Sequence, residues 1–247
     1  MLDQNIIIYT IGLKDLSLND SLSWASSHGI TALKLRACER GYNLKDLKQI
    51  KLSQIRKNFL RQNVQIHSIA TNIELEDLLK NDSNQDFKKY QLVSETLNCP
   101  KIRILSKKKD TSWENQNFKF LKNCKSKEIL VELHSSESFK SKELMTLFAS
   151  MKKNKHFRVL FDFFQVSSHY SSFQKNKKPF LYFSRLIHID PDDVNLNKES
   201  HIDILTSLRD HSVNYQICLE NWRTPNSSDT LKKYFKLKKL IHEIKEL

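Results

Sequence analysis

Short apolar runs recur along the chain, separated by longer mixed segments. The runs with strand character are Asn5–Tyr9, Ala32–Leu35, Val64–Ser68, Lys101–Leu105, Ile129–Glu132, Val159–Phe163, Leu186–Ile189 and Tyr215–Glu220. They are rich in Ile, Val, Leu and Phe and do not alternate cleanly with polar residues. That is the pattern of strands buried on both faces, as in a parallel sheet covered by helices. Between them lie amphipathic helix candidates, Leu44–Gln62, Asp86–Leu97, Lys142–Lys153, Ser200–His211 and Asp229–Leu247, with apolar residues at roughly helical spacing. Two stretches are weakly patterned. Thr71–Lys88 reads as a long loop, and Val166–Pro179 as an ill-defined sixth helix. Eight strands, most followed by a helix, in 247 residues give the rhythm of a (β/α)8 TIM barrel. A doubly wound open sheet is the structural rival. The Gly-rich phosphate loop often found in such sheets cannot be built from Gly12, Gly29 and Gly41. No linker or low-complexity tract interrupts the chain, so the expectation is a single barrel domain over residues 1–247.

Composition narrows the setting. Lys and Arg number 41 against 28 Asp and Glu, a net charge of +13, which favours contact with anions but says nothing about fold. The four cysteines, Cys38, Cys99, Cys124 and Cys218, include no CxxC pair and suggest no disulfide framework. No apolar stretch approaches the ~18 residues of a membrane span. The simplest expectation is a soluble cytoplasmic protein with reduced thiols.

In a parallel barrel, chemistry gathers where strands end, on the C-terminal face. Here four consecutive strands end in residues able to bind a metal: Ile129-Leu130-Val131-Glu132, Val159-Leu160-Phe161-Asp162, Leu186-Ile187-His188 and Ile217-Cys218-Leu219-Glu220. A charged group beside a strand core is costly unless paired or bound to a cation. One such end could be an ordinary polar residue entering a loop. Four in a row converge on the barrel axis, where three carboxylates would repel one another strongly. One divalent metal ion resolves this. An oxygen-rich set with one nitrogen suits Mn²⁺, Mg²⁺ or Co²⁺, with Zn²⁺ also compatible.

The ordered quartet Glu132, Asp162, His188 and Glu220, spaced by 30, 26 and 32 residues, resembles the xylose isomerase-like TIM barrels. That family includes sugar epimerases, sugar-phosphate isomerases and the related apurinic endonucleases. The segments ITALKLRACERGYNLKDL and NVQIHSIATNIEL are also similar to it. The resemblance spans nearly the whole chain. It implies a metal-dependent sugar or sugar-phosphate isomerase or epimerase. Glu132 and Glu220 would bind the metal and face opposite sides of the substrate, one removing a proton next to a carbonyl and the other returning it. Asp162 and His188 would be ligands only. His67, taken as the end of the third strand, and His134 would hold substrate hydroxyls, a structural or solvated histidine being the alternative for each. Gln165 stands where the family often carries a substrate- or metal-contacting His. Trp222 would wall the pocket or pack under a loop. Lys34 and Arg36 stand where an acidic residue is common, and no Arg follows His188 in LIHIDPDDVN.

Arg36, Arg103 and Lys107–Lys109 follow or end strands and could receive a phosphate, a solvated charge run being the alternative for the lysines. Two other classes stay open. One is a non-catalytic relative that keeps the barrel and binds a small ligand. The other is an apurinic endonuclease, against which the residues weigh. Several histidines of that three-metal site are absent. Lys125–Lys127, Lys152–Lys155 and Lys175–Lys178 precede strands, on the rim away from the site. The partners expected are therefore a small sugar or sugar phosphate rather than nucleic acid or membrane, with a homodimer as one option. The basic C-terminal segment LKKYFKLKKLIHEIKEL is expected to be the helix that closes the barrel.

Overall fold

The computed structural model describes residues 6–39, 42–81, 84–107, 118–123, 127–211 and 215–246. The predicted Asn5 and Leu247 ends, Cys124, and the lysines at 108, 109 and 125 lie outside them. Eight parallel strands close into a barrel: β1 (Ile7–Tyr9), β2 (Ala32–Arg36), β3 (Gln65–Glu74), β4 (Lys101–Ser106), β5 (Glu128–Leu133), β6 (Phe157–Asp162), β7 (Ser184–Ile189) and β8 (Gln216–Leu219). Each strand pairs with its neighbour in sequence, and β8 returns to β1 through Ile7 with Cys218 and Ile8 with Leu219. A two-residue antiparallel ribbon, Cys38–Glu39 with Tyr42–Asn43, follows β2.

Around the sheet run α1 (Leu18–Ser27), α2 (Gln49–Arg61), α3 (Leu75–Lys80), α4 (Gln85–Thr96), α5 (Ser141–Lys153), α6 (Phe163–Ser168), α7 (Tyr170–Lys175), α8 (Lys177–Phe183), α9 (Glu199–Asp210) and α10 (Ser227–Glu246). Their apolar stripes, such as Leu52, Ile55 and Phe59 on α2, are buried against the outer face of the sheet. Each such side chain contributes roughly 1.5–3 kcal/mol. Helices α1, α2 and α4 turn back into the barrel through left-handed residues just past their ends: Gly29 at φ 68°, Asn63 at 54° and Asn98 at 53°. Glycine and asparagine are the residues that tolerate this conformation. These turns keep the loops at the N-terminal face short, and the long connections collect at the opposite mouth.

The expected loop at Thr71–Lys88 is corrected by the structure. β3 continues to Glu74, and α3 and α4 begin inside that segment. The polar residues Thr71, Asn72 and Glu74 hide the strand because the β3–β4 register shifts between Ala70 and Glu74, breaking the pattern that marks a buried strand. The ill-defined sixth helix is three short ones, α6, α7 and α8, a form with too few turns for a clear stripe. Helix α10 does close the barrel, with Tyr234, Leu237, Leu240, Ile241 and Ile244 buried. No described helix is long and apolar enough to cross a membrane. The Thr230 hydroxyl on α10 donates to the Gly12 carbonyl at 2.7 Å, joining the two ends of the chain.

Inside the barrel, side chains form layers. An apolar layer of Ile7, Ala32, Ala70, Leu130, Leu160, Leu186 and Cys218 fills the middle. Below it, at the strand starts, His67 Nε2 meets Gln216 Oε1 at 2.6 Å and Lys101 Nζ at 2.9 Å, and Lys101 lies 3.8 Å from Glu128. His67 therefore does not sit at a strand end. Because β3 runs on to Glu74, His67 is its third residue and belongs to a polar plug at the N-terminal face. The expected substrate contact from His67 is corrected accordingly.

Candidate functional site

Above the apolar layer, four neighbouring strands deliver the quartet. Glu132 lies on β5, Asp162 ends β6, His188 lies on β7, and Glu220 follows β8 directly. One ligand atom from each of the four lies within 4.8 Å of the others. Asp162 also caps α6, its Oδ1 accepting from the Gln165 N–H at 2.8 Å. That bond fixes the carboxylate while leaving its other oxygen to the cluster.

Glu132 is oriented from both sides. Its Oε1 is 2.5 Å from His134 Nε2, and its Oε2 is 2.9 Å from Arg103 Nε. Arg103 is buried and donates through Nη1 to the Thr71 carbonyl at 2.7 Å and through Nη2 to the Tyr9 hydroxyl at 3.1 Å. His188 Nδ1 is 2.8 Å from Glu220 Oε2, and its Nε2 contacts the Nζ of Lys34. Lys34 is fully buried, with its ammonium 4.4 Å from the centre of the Tyr9 ring.

The electrostatics follow from this crowding. Burial pushes Asp162 up, and Glu220 and Glu132 beside it raise it further, well above the usual carboxylate range. Burial would raise Glu132 as well, but Arg103, His134 and His188 outweigh it and hold that carboxyl well below its usual value. Glu220 is likewise lowered, burial being overcome by His188. His188 is lowered by burial and then by Lys34. Burial, followed by Arg103, brings Lys34 down to about 8.

The donor set fits a divalent ion on a structural test. Glu132 Oε2 and His188 Nδ1 are buried without a properly directed hydrogen bond, although Arg103 Nε and Glu220 Oε2 lie close to them. Buried polar atoms are nearly always satisfied. Arg103 Nε is unsatisfied in the same way, and the loosely satisfied acceptors of this cluster of carboxylates and an imidazole are compatible with a bound cation.

A cavity of about 370 Å³ opens above the quartet. Of the residues expected to contact substrate, Arg36, Arg103, His134, Gln165 and Trp222 line it; His67 does not. Lys107 pairs instead with Glu74 at 3.1 Å. The structure adds residues to which sequence reasoning assigned no part. Tyr9, at the end of β1, lines the cavity and stacks at 5.8 Å on the His188 ring. Asn72 and Phe164 also line it, as do Asp190 and Asp193, which are tied to Lys233 and Arg223 respectively. Tyr9 ends an apolar run just as the quartet does, and that was its available signal. Lys34 had none, since a lysine inside a strand reads as solvated until the register is known.

A closed parallel barrel with three carboxylates and an imidazole at its C-terminal mouth defines the class. No protein-family model and no curated protein sequence matches the chain. Solved structures do, a xylose isomerase-like TIM barrel protein from Mycobacterium smegmatis among them, and the likeness shows the TIM barrel fold over nearly the whole length of this chain. The IolI protein, solved with a bound zinc atom, superposes with a TM-score of 0.73 at 12% identity, covering 98% of this chain and 99% of that one. A D-psicose 3-epimerase from Clostridium cellulolyticum H10, solved with D-tagatose, gives 0.68 at 10% identity, with 98% and 99% covered. A probable 3-DHS dehydratase of petrobactin synthesis from Bacillus anthracis gives 0.63 at 13% identity, with 95% and 99% covered. One fold thus carries an epimerase and a dehydratase, and the reaction must be argued from the site itself.

Proposed function

We propose that this protein is a metal-dependent isomerase or epimerase of a small sugar or sugar-like hydroxy carbonyl compound. The observation that carries this reading is the convergence of Glu132, Asp162, His188 and Glu220 within 4.8 Å at the floor of a cavity of suitable size. These four residues would hold one divalent ion, Mn²⁺, Mg²⁺, Co²⁺ or Zn²⁺. When bound, such an ion supplies a Lewis acid for the substrate carbonyl. The chain's own groups then divide the work. Glu220, just past the end of β8, and Glu132, on β5, would face the substrate from different sides. One takes the proton from the carbon beside the carbonyl to give an enediolate, and the other returns a proton, to the opposite face of the same carbon in an epimerisation or to the former carbonyl carbon in an isomerisation. His134 holds Glu132 Oε1 and keeps the carboxylate aimed inward. Gln165 and Trp222, which line the cavity, would bound the substrate.

Solvent deuterium exchange tests the reaction. The Mn²⁺-loaded protein, incubated with a panel of ketoses and ketose phosphates in D₂O, should place deuterium on the carbon beside the carbonyl. Glu132→Gln and Glu220→Gln should abolish it. Exchange that survives in both variants would remove these carboxylates from the reaction. A second reading is a ligand-binding barrel without metal chemistry. It is favoured by Arg103 and Lys34, two buried cations that already offset part of the carboxylate charge. On that reading the purified protein carries no stoichiometric metal.

A further inference from the structure

Around the cavity, the basic side chains of the described residues are committed to partners with one exception. Arg103 serves Glu132, Thr71 and Tyr9. His134 serves Glu132, and His188 serves Glu220. Arg223, at the rim, pairs with Asp193 and lies over the rings of Phe164 and Trp222. The exception is Arg36. It ends β2 and lines the cavity, and its backbone N–H donates to Thr10 Oγ1 at 3.0 Å. Its guanidinium makes no ion pair or hydrogen bond with any described residue.

The charge balance gives this arginine a purpose. Asp190 and Asp193 are neutralised by Lys233 and Arg223. The three carboxylates of the quartet are matched by one divalent ion together with Arg103. Arg36 is then surplus, whether or not Lys34 keeps its proton. A neutral sugar leaves that positive charge uncompensated inside a partly closed cavity, where charges interact more strongly than in water. An anionic substrate compensates it, and a guanidinium fork matches a carboxylate or a phosphate with two parallel hydrogen bonds.

We propose that the substrate carries an anionic group, a phosphate ester or a carboxylate, and that Arg36 binds it. This deepens the isomerase reading and rests on its metal site for the charge balance. The rival explanation is that the surplus charge serves only the enediolate formed during reaction, in which case no anion binds the resting protein.

Calorimetric titration of the Mn²⁺-loaded protein with inorganic phosphate, and separately with acetate, decides between them. Arg36→Gln and Arg36→Lys are run beside the wild type. The proposal expects saturable binding of one anion or both, weakened about tenfold or more in Arg36→Gln and largely kept in Arg36→Lys, with metal content equal in all three. Preference for phosphate or acetate identifies the ester or the carboxylate. Absence of binding, or equal binding in Arg36→Gln, overturns the anion site. Metal content of the same samples reports separately on the isomerase reading. Protein free of metal that still binds phosphate through Arg36 would refute that reading and leave the anion site standing.

Discussion

His67 gives the barrel a built-in sensitivity to acid. It is buried in the plug at the N-terminal face, and burial, then the neighbouring Lys101, lowers it from 6.5 to about 3. The native protein thus keeps His67 neutral where the unfolded chain protonates it. Between these two values the unfolded state binds more protons, so stability falls as pH is lowered from 6.5 towards 3. The full shift corresponds to about 5 kcal/mol, of which about 2 kcal/mol is already lost at about pH 5. Urea denaturation of the wild type and His67→Gln, followed from about pH 7.5 to about pH 5 with a chelator present, isolates the effect. Carboxylates titrate alike in both proteins, so the difference between the two curves belongs to residue 67. The wild type should lose about 2 kcal/mol more than the variant over this range. Parallel curves would refute the buried neutral histidine. Metal content should be unchanged in His67→Gln, because the residue lies at the far end of the barrel.

Two further perturbations probe the site and its frame. A Cβ on Gly12 would come within 2.7 Å of Thr230 Oγ1 and 3.1 Å of Asn221 Cβ, so Gly12→Ala should destabilise by about 1–3 kcal/mol in thermal or urea unfolding through overpacking at the seam beside Glu220. His134→Ala frees Glu132 Oε1 and should weaken Mn²⁺ binding by roughly 10–100-fold in a direct titration, whereas an unchanged affinity would reduce His134 to a surface residue.

Much of this architecture is legible in the residues themselves. A strand buried on both faces is a short apolar run, and the helices between carry stripes, so the (β/α)8 order follows. The quartet is legible because Glu132, Asp162, His188 and Glu220 each interrupt such a run. What stays hidden is what depends on register. His67 and Lys34 look alike in sequence, one polar residue inside a strand, yet one points into the bottom plug and the other up against His188. A run apolar on both sides carries no mark of which residue faces the axis. The end of β3 is obscured for a related reason, since its irregular pairing lets Thr71 and Asn72 continue the strand with polar side chains. Phe235, which fits the apolar spacing of α10, is exposed because the buried stripe runs through Tyr234, Leu237 and Ile241 instead.

The central claim is that four strand ends make one metal site, and elemental analysis of the purified protein tests it most directly. Wild-type protein dialysed against Mn²⁺ and then against metal-free buffer should retain one ion per chain. Glu132→Gln and Glu220→Gln, each removing a charged ligand, should retain little or none while staying folded. Retention of the same ion content in both variants, or none in the wild type, would contradict the account.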